Sequence, residues 1–217
     1  MKKFFIYSFL FFIFMINSLF SAEFSQDFVL MKLKENKTKI LNLKFKFTQE
    51  IKSNIDDENY PKIIGEIYFK PPYKFKISYN DNKFLYLFNG ETLFFYDKIK
   101  NQILEKDKND DDFLGIDVIN FVFLDDNFLK NFDITSFWQT DDKNCNFSFL
   151  DKKNNDKIFL TVNSKNFFPE KIVWDKEFTK IFIFISSLQY NTKNISDMDF
   201  EITKYIKNKN NLDFLKI

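Results

Sequence analysis

Short strands of alternating polarity, separated by turn residues, fill the segment from Phe45 to Asp97. The alternation starts a little earlier, at Leu41, where apolar side chains occupy every second position and mostly polar ones lie between them. A proline pair at positions 71 and 72 and the dipeptide Asn89-Gly90 separate the later strands, because proline lacks an amide hydrogen and glycine accepts a positive φ. The segment therefore predicts an antiparallel meander with one apolar and one polar face.

Three blocks of this segment also carry a family resemblance. They are Phe47-Thr48-Gln49, the run from Gly65 to Phe75, and the run from Asn89 to Asp97. In order and spacing they resemble the periplasmic outer-membrane lipoprotein carrier family, LolA, while the rest of the β-rich chain is compatible with that family but poorer in motifs. The resemblance implies a mainly β (α+β) fold, an unclosed antiparallel β-barrel with a short helical lid.

The same resemblance implies a function in transport by binding, without catalysis and without a cofactor. The carrier takes the acyl chains of lipoproteins from an inner-membrane lipoprotein exporter and passes them to an outer-membrane acceptor. We therefore expect acylated lipoproteins as ligands, a periplasmic location and a monomeric protein. An exported binding or sensor protein of the same fold, for another envelope lipid or lipoprotein, remains the alternative.

The candidate lipid-binding residues are the inward-facing positions of the first four strands. They are Leu43, Phe45, Phe47, Ile67, Phe69, Phe75, Ile77, Tyr79, Phe84 and Tyr86, and the candidate lid residues are Phe113, Ile116 and Phe123. By the resemblance, Phe75 and Ile77 match family positions on the concave side. For the others, packing in the core is an equal alternative, since a core and an acyl-binding cavity both use inward apolar side chains.

One position departs from the family pattern. Better-known members have an arginine that helps to hold the lid closed where this chain has Pro71, and the sequence contains no arginine. The neighbouring Lys70 offers a point charge but not the bidentate fork of a guanidinium group. We therefore expect lid closure to be looser, or to depend on apolar contacts.

The N-terminal residues predict a signal peptide over residues 1–22 and a single carrier domain over residues 23–217. Lys2 and Lys3 precede an apolar run from Phe4 to Phe20, and we expect cleavage after Ser21 or Ala22; an uncleaved anchor is the alternative. Removing both lysines changes the formal net charge from +1 to −1. A near-neutral chain argues against a nucleic-acid partner.

The residue inventory gives little support for an enzyme. The sequence has no histidine, and its three glycines are too far apart for a phosphate-binding loop, although paired carboxylates remain possible. The consecutive Asp110, Asp111 and Asp112 lack the spacing of a calcium loop, so we expect no metal. The single Cys145 is expected to be a small buried side chain. Its distance from the predicted signal peptide separates the chain from a lipid-modified acceptor.

Outside the central segment we expect two helices and a second series of strands. A helix over Ser25 to Glu35 would bury Phe24, Phe28 and Met31, and a second helix, or a strand, would cover 113–124. The expected strands are 132–138, 146–150, 157–163, 170–175, 179–188 and 200–203. The tail from residue 205 is expected to be loosely held, and the strand lysines Lys44, Lys46, Lys74 and Lys76 to form a solvated face.

Overall fold

The structure is a computed structural model. It describes residues 24–55, 60–72, 74–80, 83–106, 122, 129–141, 144–206 and 212–216. Helix α1 spans Gln26–Lys39. The strands are β1 Leu43–Ser53, β2 Ile63–Lys70, β3 Lys74–Tyr79, β4 Phe84–Phe88, β5 Leu93–Asp97, β6 Gln102–Lys106, β7 Phe132–Asp141, β8 Asn144–Asp151, β9 Lys157–Asn163, β10 Pro169–Asp175, β11 Thr179–Tyr190 and β12 Asp213–Lys216.

The twelve strands of the described residues form one sheet in the order β12-β6-β5-β4-β3-β2-β1-β11-β10-β9-β8-β7. Every pairing is antiparallel except that of β12 with β6. Within the described residues, β7 and β12 each have a single neighbour, so the sheet is not closed into a barrel. The predicted fold class, a mainly β protein with an open antiparallel sheet, is confirmed.

The sheet curls around one large apolar core on its inner face, the face that carries Phe45 and Phe47. A flat sheet would place its outer strands about 50 Å apart, at roughly 4.8 Å per strand. Yet Leu93 of β5 and Phe132 of β7, nine positions apart in the strand order, belong to the same buried cluster. The alternation of side chains therefore buries most of one face, while the opposite, outer face lies on the convex side.

Helix α1 crosses one end of the inner face. The Phe24 amide donates to Gln139 Oε1 at 3.3 Å, Asn36 Nδ2 donates to the Asn166 carbonyl at 2.9 Å, and Asn191 Nδ2 donates to the Lys39 carbonyl at 2.9 Å. These three partners lie where β7 ends, where β9 turns into β10, and where β11 ends. Because the strands are antiparallel, all three points mark the same end of the sheet.

The helix differs from its prediction in length and in orientation. It continues beyond Glu35 to Lys39, and its buried side chains are Val29 and Leu33, whereas Met31 is 45% exposed. Phe24 and Phe28 are partly buried at its start, stacked 5.3 Å apart. No described helix is both long and apolar enough to cross a membrane.

A smaller apolar cluster lies on the outer face and is covered by the C-terminal segment. Two short 3-10 helices, Asp197–Phe200 and Ile202–Lys204, lie in this segment. Side chains of β4, β5 and β6 contact Ile202 of the second helix and residues of the chain that follows it. The predicted strand over 200–203 is therefore wrong. The tail is not loose where it is described, since β12 pairs with β6.

Two further expectations for single residues are wrong. Leu41 is 71% exposed, because it precedes β1 instead of continuing the strand's apolar face. Lys76 is only 8% exposed, because the C-terminal segment covers it; its Nζ donates to Tyr205 Oη at 3.1 Å and lies 3.7 Å from the centre of the Tyr68 ring. The expectation for Cys145 is confirmed, since its side chain is fully buried.

Candidate lipid-binding face

The structure places all the predicted lipid-binding residues on the inner face of β1 to β4. Seven of them are buried in the large core and pack there with Val29 and Leu33 of α1: Leu43, Phe45, Phe47, Ile67, Phe69, Phe75 and Ile77. The remaining three, Tyr79, Phe84 and Tyr86, are half-buried. The placement agrees with the sequence pattern. The seven buried residues pack in the core, and the three half-buried residues leave surface that a ligand can contact.

The half-buried residues form a connected row of rings with Phe47 and Phe95, which we call the aromatic ladder. Ring centres are 5.5 Å apart for Phe47 and Tyr79, 5.7 Å for Tyr79 and Tyr86, and 4.7 Å for Tyr86 and Phe95. Phe84 stacks on Phe95 at 6.2 Å with an interplanar angle of 9°. Edge-to-face and offset contacts of this kind favour a fixed arrangement of the rings.

Gly65 allows the first ring of the ladder to lie against the sheet. It pairs with Phe47 on one side and with Tyr79 on the other. A Cβ atom at this position would lie 2.3 Å from Phe47 Cζ and 2.7 Å from the Ser78 carbonyl oxygen. The absence of a side chain at position 65 therefore makes room for the Phe47 ring.

The ladder extends to the end of the sheet that α1 does not cover. Tyr79 and Phe84 flank the connection between β3 and β4, whereas the polar contacts of α1 lie at the opposite end, where β1 begins. Tyr79, Phe84, Tyr86 and Phe95 each keep part of their surface exposed. This end of the inner face thus presents aromatic surface beside a closed core.

The chemistry of the ladder is apolar and neutral. Burial raises the pKa of the Tyr79 phenol well above its ordinary value, with the nearby Tyr86 adding to the effect, and burial also raises the pKa of Tyr86. Asp97 is buried at the edge of the ladder, but its Oδ1 accepts from the amides of Ile99 and Lys100 at 2.9 and 3.1 Å. The carboxylate therefore stabilises the turn after β5, and the ladder itself offers contacts to an apolar ligand.

Several inner-face residues are absent from the predicted set. Phe95 completes the ladder, and Phe88 and Leu93 extend the same face; the alternation of Leu93, Phe95 and Asp97 was the available signal. The strands β8 to β11 also contribute, and many of their inner side chains are almost completely buried. They include Phe147, Phe149, Ile158, Leu160, Val162 and Ile172.

Two predictions concern the lid: the three residues that form it, and Lys70, which lies next to the position of the family's arginine. Phe113, Ile116 and Phe123 lie outside the described residues. Lys70 Nζ lies 3.0 Å from Asp197 Oδ2, and Lys74 Nζ lies 2.8 Å from Asp197 Oδ1. Lys70 thus contacts the C-terminal segment on the outer face, which differs from the role considered for it at the lid.

No family model and no curated protein matches this chain. Similar solved structures include a LolA superfamily protein from Nitrosomonas europaea, at 12% identity and a TM-score of 0.48, covering 84% of this chain and 100% of that one. A DUF1329 family protein from Desulfovibrio piger has 11% identity and a TM-score of 0.48, with coverage of 81% and 95%.

A third similar structure is a domain from Vibrio parahaemolyticus named for outer membrane lipoprotein sorting. Its identity is 9% and its TM-score 0.45, with coverage of 83% of this chain and 97% of that one. Similarity of fold at such identities does not transfer a function.

Proposed function

We propose that the chain is a periplasmic carrier that binds the acyl chains of lipoproteins released from the inner membrane and delivers them to the outer membrane. In this proposal residues 1–22 are a signal peptide, and residues 23–217 form one domain that acts as a monomer with an inner-membrane exporter and an outer-membrane acceptor. The observation that carries the proposal is the aromatic ladder, which leaves apolar surface accessible at one end of the inner face.

Burial of methylene groups is the physical basis of the proposed binding. Each exposed CH₂ of an acyl chain costs about 0.8 kcal/mol in water, so a lipoprotein needs a shield to cross an aqueous compartment. The ladder offers a starting surface, and the buried row of Phe45, Ile67 and Ile77 lies beside it on the same face. A longer chain would reach that row only if the core opened, so binding and core packing compete for the same side chains.

Helix α1 is the described element that could open the core most easily. Only Val29 and Leu33 of its fourteen residues are buried. Displacing these two aliphatic side chains costs roughly 3 to 6 kcal/mol, and the partly buried Phe28 and Leu30 add to that cost. Burial of a comparable number of methylene groups of the ligand can offset it. The proposed delivery step then needs only an acceptor that binds the acyl chains more tightly.

A direct test is whether residues 23–217 form a soluble complex with a synthetic triacylated lipopeptide in detergent-free buffer. We expect a one-to-one complex in size-exclusion chromatography. If the protein binds a diacyl phospholipid but not the lipopeptide, it carries another envelope lipid. If it binds neither, the proposal fails.

Two matched variants locate the binding surface. Tyr86→Glu places a carboxylate on the half-buried ladder and should abolish complex formation, because an acyl chain cannot solvate the charge. Phe214→Glu makes a comparable aromatic-to-carboxylate change at a residue of β12 that is 49% exposed and pairs with Ile103 of the outer-face cluster. Equal binding by the two variants would remove the ladder from the site.

A further inference from the structure

The outer face carries a second group of aromatic side chains, which the proposed carrier function does not use. Phe178, Phe182 and Phe184 occupy alternate positions at the start of β11, with Lys180 between the first two. Phe178 is 57% exposed, Phe184 is 38% exposed and Phe182 is half-buried. At about 3.4 Å per residue, this outer-face stripe is roughly 20 Å long.

Two lysines from the neighbouring strands flank the stripe. Lys52 of β1 is paired with Lys180, and its Nζ lies 5.3 Å from the centre of the Phe182 ring. Lys171 of β10 is paired with Phe184, and its Nζ lies 5.3 Å from that ring and 5.7 Å from Phe182. Ammonium groups at this distance lie over the ring faces, with their hydrophobic stems along the sheet.

Two carboxylates on the strands beside the stripe already have partners, whereas Glu177, next to Phe178, is exposed. Glu50 Oε1, beside Phe182, lies 2.7 Å from Lys62 Nζ, and Asp175 Oδ2 lies 2.9 Å from Lys180 Nζ. Among the described residues, neither Lys52 nor Lys171 forms an ion pair. The stripe therefore combines exposed aromatic rings with two lysine ammonium groups that form no ion pair with the described carboxylates.

We propose that this stripe docks the protein onto the surface of an anionic lipid bilayer. Phenylalanine rings enter the interfacial region of a bilayer, while lysine side chains reach the phosphate groups above them. The stripe lies on strands in the interior of the sheet, where β1, β11 and β10 are neighbours, so their backbone groups are paired. An extended peptide could not add to the sheet there, which favours a broad anionic surface as the partner.

This inference goes beyond the proposed carrier function and does not depend on it. The stripe and the aromatic ladder lie on opposite faces of the sheet, so a variant of one leaves the other unchanged. The apolar end of the stripe is extended by Ile55, which is 74% exposed, since the Asn54 amide donates to the Phe178 carbonyl at 2.9 Å. Docking would thus involve both a basic face and an apolar end.

The test is co-sedimentation of residues 23–217 with vesicles of phosphatidylcholine alone, or of phosphatidylcholine and phosphatidylglycerol in equal parts. We expect binding to the anionic vesicles that weakens as salt is added. The double variant Lys52→Gln, Lys171→Gln should reduce the partition coefficient at least about 10-fold, because each lysine near an anionic surface contributes roughly 5-fold.

The matched control is Lys153→Gln, Lys165→Gln, which removes the same charge from exposed turns before and after β9. It should bind like the unchanged protein. Phe184→Ser should also weaken binding while the far-ultraviolet circular dichroism stays unchanged. Absence of binding to anionic vesicles, or an equal loss in the control pair, would overturn the proposal. Binding to soluble polyglutamate without vesicle binding would overturn it in favour of an acidic protein partner.

Discussion

Lys76 is a lysine in a buried position, where the charged form of its side chain is disfavoured. Burial lowers its pKa to about 8, with Asp199 and Glu66 acting in the opposite direction and Lys204 and Lys44 adding to the decrease. The unfolded chain has an ordinary lysine pKa near 10.4, so between pH 8 and 10 the unfolded state binds more protons than the folded state. The free energy of unfolding contributed by this group therefore rises with pH across that interval.

The variant Lys76→Met should remove this pH dependence. Between pH 7.5 and 9.5 we expect the unfolding free energy of the unchanged protein to rise by roughly 1 to 2 kcal/mol relative to the variant, after allowing for solvent screening. Urea denaturation at several pH values measures the difference. Cys145 and the tyrosines that do not contact Lys76 titrate equally in both proteins and cancel. Burial raises the pKa of Tyr205 and of Tyr68, so both stay protonated in the folded protein over this interval. If the difference in unfolding free energy between the two proteins does not change with pH, the pKa of Lys76 is the same in the folded and unfolded states.

Gly65 gives a second test at the scale of one residue. Gly65→Ala should lower the unfolding free energy by about 2 kcal/mol, because the new methyl group overlaps the Phe47 ring and the Ser78 carbonyl. Urea denaturation in the presence and absence of Phe47→Leu measures how much of the cost arises from the ring. We expect a coupling of at least about 0.5 kcal/mol. Additive effects would mean that the ring does not lie against position 65.

At the scale of the element, helix α1 depends on its first turn. Ser25 Oγ accepts from the Phe28 amide at 3.2 Å, Asp27 lies in the first turn, and Lys37 and Lys39 lie in the last. Ser25→Ala should lower the unfolding free energy by about 1 kcal/mol, whereas Ser25→Asp should retain the cap. Urea denaturation of both variants provides the comparison. Equal stability of the alanine and aspartate variants would show that the cap contributes nothing.

The same helix shows where sequence periodicity is insufficient. Phe24, Phe28 and Met31 form one stripe at helical spacing, and Val29 and Leu33 form another, so the sequence alone does not select the buried one. Contacts with β7, the β9–β10 turn and the end of β11 make that selection in the folded protein. Those partners are distant in the sequence and leave no local pattern.

Strands with one buried face were predicted well, and so was the start of helix α1, whereas the C-terminal segment that covers the outer face was not. The alternation in β1 to β4 placed the candidate residues on a common face, because a period of two fixes which side chains point together. The pairing of β12 with β6 is parallel, so no hairpin turn in the sequence indicates it. Nor did alternation predict the burial of Lys76, which depends on Tyr205 from the C-terminal segment.

At the scale of the whole molecule, the two halves of the sheet differ in how completely their inner faces are filled. The inner side chains of β8 and β9, such as Phe147 and Leu160, are fully buried, whereas Tyr79, Tyr86 and Phe95 near the other side keep exposed surface. Both halves supply buried core residues, and the aromatic ladder keeps part of its surface exposed on the inner face of one of them. In the half with the aromatic ladder, a ligand can contact exposed rings without breaking contacts between buried side chains.

This asymmetry predicts that an acyl ligand stabilises the whole fold. A ligand that binds only the folded state adds about 2.7 kcal/mol at a concentration 100 times its dissociation constant. For a chain of this size that corresponds to an increase in melting temperature of roughly 5 to 10 °C. Differential scanning fluorimetry with the triacylated lipopeptide measures the shift. The unacylated peptide is the control for the ligand, and Tyr86→Glu is the control for the site.

Neither control should show a ligand-induced shift in melting temperature. The unacylated peptide lacks the methylene groups to be buried, and Tyr86→Glu lacks the surface that binds them. An increase that persists in Tyr86→Glu would place the ligand away from the ladder, on another apolar surface such as the outer-face stripe. An increase with the unacylated peptide would show that the peptide, not the acyl chain, is bound. Only the shift that requires both the acyl chain and Tyr86 connects the half-filled inner face to lipid binding.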